Sequence, residues 1–209
     1  MEIKKFVVGM NETNCYIIYD KNTLEALIID PGDEEKVLIQ YIDKHALKLQ
    51  GILLTHYHYD HIGGVEGLKR KYGCPIYAHK KEAEGLQKPE MNRSSIGGRT
   101  AVSIKPDKTL IDGDMISIGT IILQVIHTPG HTPGGICLKI KDSSIIFTGD
   151  TIFSDDLGRT DLEGGSEESL KKSIVNKVSK WSDDTMIYPG HGEAALMLEV
   201  KGRGVQYLN

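Results

Sequence analysis

The sequence lacks clustered cysteines, long apolar runs and blocks of basic charge, and each absence excludes a class of protein. Cys15, Cys74 and Cys137 are widely spaced and form no CxxC pair, so we expect each to pack as a small apolar side chain in a reducing cytoplasm. No segment has the character of a signal peptide or a membrane span. Lys and Arg number 25 against 29 Asp and Glu, with no basic cluster, which argues against nucleic acid as a partner.

The length of 209 residues and the 39% share of hydrophobic residues predict a single domain, 1–209, with a substantial core. Apolar segments bounded by polar turns predict strands at "IKKFVV", "CYIIY", "LEALIID", "LQGILLT", "CPIYAH", "KTLIDGD", "MISIG", "TIILQVIHT", "GICLKI", "SIIFTGD" and "TMIYPG". Helical spacing predicts helices at "EEKVLIQYIDKHAL", "GGVEGLKRKYG" and "SEESLKKSIVNKVSKW". This order predicts a layered α/β (or α+β) body.

Local signals predict how some of these elements begin and what connects them. Asp33 is a candidate N-cap for the first helix, and Ser166 for the last. One face of the first helix is predicted to contain Val37, Leu38, Tyr41, Ile42 and Leu47. Residues 81–106 are polar and irregular, which predicts a mobile surface loop.

Histidines and aspartates gather in four segments that each follow an apolar strand. The segments are "LLTHYHYDH", "VIHTPGHTPGG", "IIFTGD" and "IYPGHG". Loops after strands are the usual location of ligand sites in α/β sheets, so these four loops are expected to converge. Their candidate metal ligands are His56, His58, Asp60, His61, His131, Asp150 and His191.

Five imidazoles and two carboxylates exceed the four ligands of one tetrahedral zinc. Two metal ions that share one carboxylate would use all seven side chains. His56 and His58 are two residues apart and can lie together in an extended or tightly turned loop, whereas Asp60 and His61 would face a second ion. We interpret His45 and His79 as surface or hydrogen-bonded residues, and His127 as a structural support for the site.

The segments "HYHYDH", "TPGHTPGG", "FTGDTIF" and "YPGHG" together resemble the metallo-β-lactamase superfamily, most closely its glyoxalase II-like (hydroxyacylglutathione hydrolase-like) branch. The resemblance implies a four-layer αβ/βα sandwich with the metal site at one edge of the two sheets. It also implies that His56, His58 and His131 hold one metal ion and that Asp60, His61 and His191 hold the other. Asp150 would bridge the two ions. Antibiotic-hydrolysing members have Cys or Ser at this position, so β-lactamase activity is not expected.

The chain departs from glyoxalase II after the "GHG" segment, where the helical domain that grips glutathione is replaced by "EAALMLEVKGRGVQYLN". The usual contacts to a thiol carrier are therefore missing or come from elsewhere in the chain. The segment "LGRTDL" at 157–162 resembles both short single-domain glyoxalase II-like proteins and persulfide dioxygenases. Arg159 in this segment either binds an acidic group of the substrate or forms an internal ion pair with Asp161 or another carboxylate.

The ligand set predicts a metal-dependent hydrolase with Asp60 and Asp150 as catalytic residues and two divalent ions, zinc first and iron or manganese as alternatives. Two such ions carry more positive charge than Asp60, Asp150 and one hydroxide remove, which favours an anionic small-molecule substrate. A metal-activated hydroxide that attacks an acyl carbon needs no strong general acid when the leaving group is a thiolate. A thioester, such as a hydroxyacyl-thiol, therefore fits better than an amide.

Two other functions remain as alternatives. A mononuclear iron persulfide dioxygenase needs only two histidines and one carboxylate, which His56, His131 and Asp150 would supply. A metal-bound module without catalytic activity is the other, although the ligand set leaves a coordination position open for water.

Overall fold

Two mixed six-stranded sheets form the centre of the computed structural model, which describes residues 1–97 and 99–208. Gly98 in the predicted 81–106 loop and Asn209 at the end of the predicted tail lie outside the described residues. The first sheet contains, in spatial order, β1 (Glu2–Val8), β2 (Thr13–Tyr19), β3 (Glu25–Ile29), β4 (Lys48–Leu54), β5 (Ile76–His79) and β6 (Lys108–Leu110). The second contains β12 (Ala195–Leu196), β11 (Met186–Pro189), β10 (Ile145–Gly149), β9 (Ile136–Ile140), β8 (Ile121–His127) and β7 (Met115–Ile118).

Parallel pairing brings the ends of certain strands to the same edge. In the first sheet β3, β4, β5 and β6 run parallel, and in the second β10 and β11 do. The remaining neighbours are antiparallel. The segments that follow β3 and β4 therefore emerge together, as do those that follow β10 and β11.

Helices cover the outer face of each sheet, so the predicted four-layer sandwich is confirmed. The helices are α1 (Glu35–Lys44), α2 (Val65–Tyr72), α3 (Ala83–Gln87), α4 (Glu167–Asn176) and α5 (Met197–Gly202). One apolar cluster lies between the sheets, a second joins the first sheet to α1 and α2, and a third joins the second sheet to α4 and α5.

The apolar run "GILL" in β4 is explained by burial on both faces of its sheet. Leu53 packs in the cluster between the sheets, whereas Ile52 and Leu54 pack in the cluster beneath α1 and α2. Successive side chains of a strand point to opposite faces, so a strand covered on both sides needs a continuous apolar run.

The start and the buried face of α1 differ from the sequence prediction, whereas the predicted Ser166 cap is confirmed. Ser166 Oγ accepts a hydrogen bond from the Ser169 amide at 3.2 Å. Asp33 instead bonds the adjacent Glu34 amide, and Glu34 occupies the N-cap position in the left-handed region. The predicted apolar face is wrong at Val37, which is 45% exposed because the face centres on fully buried Leu38 and Ile42.

Residues 81–97 and 99–106 contain more regular and buried structure than their polar composition predicted. A 3₁₀ turn at Lys80–Glu82 leads into α3, and Leu86, Asn92 and Ile104 are buried. The Asn92 side-chain amide donates to the carbonyl of Val102 at 2.9 Å, which closes the segment on itself. The sequence did not predict α3 or β12 because each is too short for periodicity to register.

Among residues 1–97 and 99–208, no helix has the length and apolarity required to cross a membrane.

The cluster between the sheets predicts a large cost for removing one of its side chains. Leu138 in β9 is fully buried there. We expect Leu138→Ala to lower the free energy of unfolding by about 2–5 kcal/mol because it leaves a cavity. Leu198→Ala removes the same atoms from a side chain that is 59% exposed, and we expect a change within about 0.5 kcal/mol. Urea denaturation measures both, and equal losses would contradict this core.

Candidate metal centre

The seven candidate ligands lie on loops at one edge of the two sheets. His56 and His58 follow β4, and the 3₁₀ turn Tyr59–His61 carries the next two candidates. His131 lies between β8 and β9, Asp150 follows β10, and His191 follows β11. The structure therefore brings together all four histidine- and aspartate-bearing segments that the sequence singled out.

One group of candidate ligands contains His56, His58 and His131. One potential metal-binding atom of each side chain lies within 4.8 Å of those of the other two. His58 Nδ1 and His131 Nε2 are 2.8 Å apart. Burial is the main cause that lowers the pKa of all three imidazoles, well below the usual value for His56 and to about 3 for His58. These side chains are therefore neutral, the form in which imidazole binds a metal ion.

A second group contains Asp60, His61 and His191, again with one potential metal-binding atom of each side chain within 4.8 Å of the others. The Nε2 atoms of His61 and His191 are 3.3 Å apart, and Asp60 Oδ2 lies 3.5 Å from His191 Nε2. Burial opposes the charged form of His61, but nearby carboxylates outweigh burial and raise its pKa to about 10. The second group is thus a place where positive charge is stabilised.

Asp150 lies between the two groups and approaches histidines of both. Its Oδ2 is 3.5 Å from His131 Nε2 and 3.5 Å from His191 Nε2, and its Oδ1 is 3.5 Å from His61 Nε2. Burial opposes ionisation of this carboxyl, but the surrounding imidazoles hold its pKa well below the usual value. Asp150 is therefore positioned to contact an ion in either group.

Unsatisfied atoms in the cluster fit metal ligation. Only five buried side-chain nitrogen or oxygen atoms of the described residues lack a hydrogen-bond partner, and three of them are His56 Nε2, His58 Nε2 and Asp150 Oδ1. Buried polar atoms are normally paired, because leaving one unpaired costs about 1–3 kcal/mol. A bound cation would be a partner for such lone pairs, so the residues present fit a metal centre.

The second ring nitrogen of three histidines is held by a neighbouring oxygen. His131 Nδ1 lies 2.7 Å from the carbonyl of Arg159, and His191 Nδ1 lies 3.0 Å from that of Asn11. His56 Nδ1 lies 3.1 Å from the Thr55 hydroxyl. The two carbonyls can only accept, so they fix the proton on Nδ1 and leave Nε2 free to bind.

Asp30 is the main residue of the site that the sequence interpretation missed. Its Oδ2 lies 3.0 Å from His61 Nδ1, and both of its oxygens accept hydrogen bonds from Thr55. Asp30 also forms a third potential metal-binding group with His56 and His61. It directly follows β3, at the end of the predicted strand "LEALIID", so the rule that found the other loops applies to it as well.

Glycine is required at position 190, where the backbone of the loop after β11 lies against the candidate ligands. A Cβ atom at Gly190 would lie 2.1 Å from Asp150 Oδ1 and 2.8 Å from His61 Cε1. Asn14 in β2 fixes the same loop by donating to the carbonyls of Pro189 and Gly192 at 2.9 and 2.8 Å. These contacts join the first sheet to the loop that carries His191.

Arg159 lies at the wall of the cavity that opens onto the cluster, and it forms a bidentate ion pair with Asp161 at 2.6 and 2.7 Å. Both interpretations of Arg159 thus have a structural basis, and its role in substrate binding stays a prediction.

His127 contacts none of the seven candidate ligands directly. It stacks on buried His79 at 4.1 Å and approaches the carbonyl of Pro133, behind the loop that carries His131. His45 is exposed beside Tyr41.

The Asp30 contact predicts a selective effect on metal binding. We expect Asp30→Asn to weaken binding in the Asp60–His61–His191 group by about 10–100-fold, because it removes the charge that orients His61. Asp20→Asn is the matched control, since Asp20 is equally buried in the same sheet and also accepts from a threonine hydroxyl and amide. Calorimetric titration of the folded variants with zinc measures the affinity. Similar losses in both would show that Asp30 acts only on stability.

The sequence model of the metallo-beta-lactamase superfamily matches residues 8–191. The probable metallo-hydrolase YqgX of Bacillus subtilis is 36% identical over 193 residues, covering 92% of this chain and 90% of that protein. The hydroxyacylglutathione hydrolase GloC of Haemophilus influenzae is 33% identical over 211 residues, covering 100% of this chain and 99% of that protein.

Solved structures give the same assignment. The crystal structure of BLEG-1 B3 metallo-beta-lactamase is 36% identical with a TM-score of 0.88, and 95% of each chain is covered. The crystal structure of TTHA1623 in a di-iron-bound form is 26% identical with a TM-score of 0.83, covering 98% of this chain and 99% of that one. By sequence and by fold, this chain belongs to the metallo-beta-lactamase superfamily.

Proposed function

We propose that this protein is a metal-dependent hydrolase that binds two divalent ions and cleaves a thioester. The observation that carries the proposal is the arrangement of six buried or half-buried ligands in two groups with Asp150 between them. One ion would be held by His56, His58 and His131, and the other by Asp60, His61 and His191. Asp150 would contact both.

The relatives support the number of ions and the type of reaction. TTHA1623 has a di-iron-bound form, and YqgX is named as a probable metallo-hydrolase. GloC, which matches this chain from end to end, is named as a hydroxyacylglutathione hydrolase. We therefore propose a hydroxyacyl-thiol as the substrate, with zinc as the first candidate for the ions and iron as the second.

When bound, the two ions would supply hydroxide at neutral pH, since zinc lowers the pKa of bound water to about 7, and would polarise the acyl carbonyl. The carboxylate of Asp60 is held in place by Asn11 Nδ2, which donates to Oδ2 at 3.0 Å. The pKa of Asp60 is lowered: burial opposes ionisation, while His61 and the Asn11 bond favour it. An ionised Asp60 orients the attacking water by accepting its proton in a hydrogen bond, and a thiolate leaves without a general acid.

The two-ion proposal predicts that His61 and His191 act as one unit. We expect His61→Ala and His191→Ala each to reduce bound metal from two ions to one and to lower thioester hydrolysis by about 100-fold or more. The double variant should lose little beyond either single one, because each already removes the same ion. Metal analysis and hydrolysis rates on the same samples measure both effects, with His45→Ala on the exposed surface as the control.

Metal content and turnover measured on the same samples distinguish the proposed hydrolase from the two alternative functions. One iron per chain, with oxygen consumption on a persulfide and near-normal rates in His191→Ala, would replace the hydrolase with a persulfide dioxygenase. Bound metal with no turnover of any acyl-thiol would indicate a module without catalytic activity. A β-lactam is included because BLEG-1 is described as a metallo-beta-lactamase, and we expect no turnover of it.

A further inference from the structure

Arginine is concentrated around the cavity that opens onto the candidate metal centre. The cavity has a volume of about 630 Å³, and its wall includes His58, Asp60 and Asp150. Three of the five arginines of the chain line this cavity, Arg93, Arg99 and Arg159, whereas none of its twenty lysines does. Arginine rather than lysine is the side chain suited to bidentate recognition of carboxylate and phosphate groups.

Two of these arginines form no ion pair within the part of the chain that the structure describes. Arg159 is paired with Asp161, but within residues 1–97 and 99–208 no carboxylate lies within 4.0 Å of a side-chain nitrogen of Arg93 or Arg99. Acidic residues are more numerous than basic ones in this chain, so partners for arginine are not scarce. Two unpaired guanidinium groups on the wall of a reaction cavity are suited to bind an anion from outside the protein.

The segment that carries both arginines is fixed to the metal-binding turn. The Tyr59 amide donates to the carbonyl of Asn92 at 2.9 Å, and Asn92 is fully buried. The guanidinium of Arg99 stacks 4.1 Å above the ring of Tyr59, the residue before Asp60. Its Nη1 donates to the carbonyl of Ile96 at 2.7 Å, and stacking leaves the edge of the group open for hydrogen bonds.

The formal charge of the metal-loaded site indicates why arginines on the cavity wall would be needed to attract an anionic substrate. Asp30 adds a third carboxylate beside Asp60 and Asp150, so two divalent ions with one hydroxide would have no net formal charge. Counting Asp30 would thus lower the formal charge of the loaded site below the positive value expected from Asp60 and Asp150 alone. An anionic substrate must then be attracted by other groups, and Arg93 and Arg99 are arginines of the cavity wall without an ion pair among the described residues.

We propose that Arg93 and Arg99 bind an anionic group, a carboxylate or a phosphate, on the thiol half of the substrate. The inference rests on the proposed thioester hydrolysis. The acyl carbon must lie beside Asp60 and Asp150, and a hydroxyacyl group is small, so the thiol half extends toward the wall of the cavity. Arg99 also lines a neighbouring cavity of about 430 Å³, which leaves room for a longer carrier.

Binding of uncleavable thioethers tests the inference separately from turnover. The first pair is S-methylglutathione and its diethyl ester, which differ in the charge of two carboxylates. The second pair is S-methyl-4′-phosphopantetheine and S-methylpantetheine, which differ in the phosphate. We expect metal-loaded protein to bind the charged member of at least one pair about tenfold or more tightly, the effect of one charge-assisted contact, and the pair that responds identifies the carrier.

Variants then assign the preference to the two arginines. We expect Arg93→Gln and Arg99→Gln each to reduce the preference for the charged member, and Arg70→Gln, on the exposed surface of α2, to leave it unchanged. Added salt should also weaken the preference for the charged member, because the guanidinium groups are partly exposed. Equal binding within both pairs, or a preference that survives Arg93→Gln and Arg99→Gln, would overturn the inference even if thioesters are hydrolysed. Failure of all thioester turnover with this preference intact would instead refute the proposed reaction alone.

Discussion

The contact that Asp150 makes with histidines of both groups is the interaction on which the rest of the site depends. Its oxygens lie 3.5 Å from nitrogens of His61, His131 and His191. A carboxylate shared between two buried metal sites allows two cations to lie close together, because its negative charge lies between them. Each cation keeps its own separate ligands. Without Asp150, two ions in the proposed sites would repel each other with less negative charge between them, so in the proposed centre this residue would link the two groups.

The scaffold fixes this centre from both sheets rather than from one. Asp30 and Thr55 lie at the ends of neighbouring parallel strands of the first sheet and hold His61 and His56. Asn14 reaches from the same sheet to the loop that carries His191, and Gly190 allows that loop to approach. Ligands held by such partners keep their geometry without the ion, which reduces the conformational cost of binding it.

Regular patterns in the sequence predicted a layered α/β body and the convergence of the loops that carry the seven candidate ligands, whereas the four-layer sandwich was implied by the family resemblance. Apolar segments bounded by turns, and polar residues at their ends, are visible locally. Asp30 is a single carboxylate at the end of a predicted strand, with no histidine beside it in the sequence. The positions of Arg93 and Arg99 depend on how a polar segment folds back through buried Asn92. Contacts of this kind join residues far apart in sequence, and local periodicity carries no information about them. The Asp33 cap was wrong because its side chain accepts a hydrogen bond from the adjacent Glu34 amide, and the helix begins one residue later, after Glu34.

The most direct measurement of the central claim is an anomalous difference map from crystals of the metal-loaded protein, collected on either side of the absorption edge of the resident metal. Two ions sharing Asp150 predict two peaks, one among His56, His58 and His131 and one among Asp60, His61 and His191, with the Asp150 carboxylate in contact with both. A single peak at full occupancy, or two peaks of which only one contacts Asp150, would contradict the account.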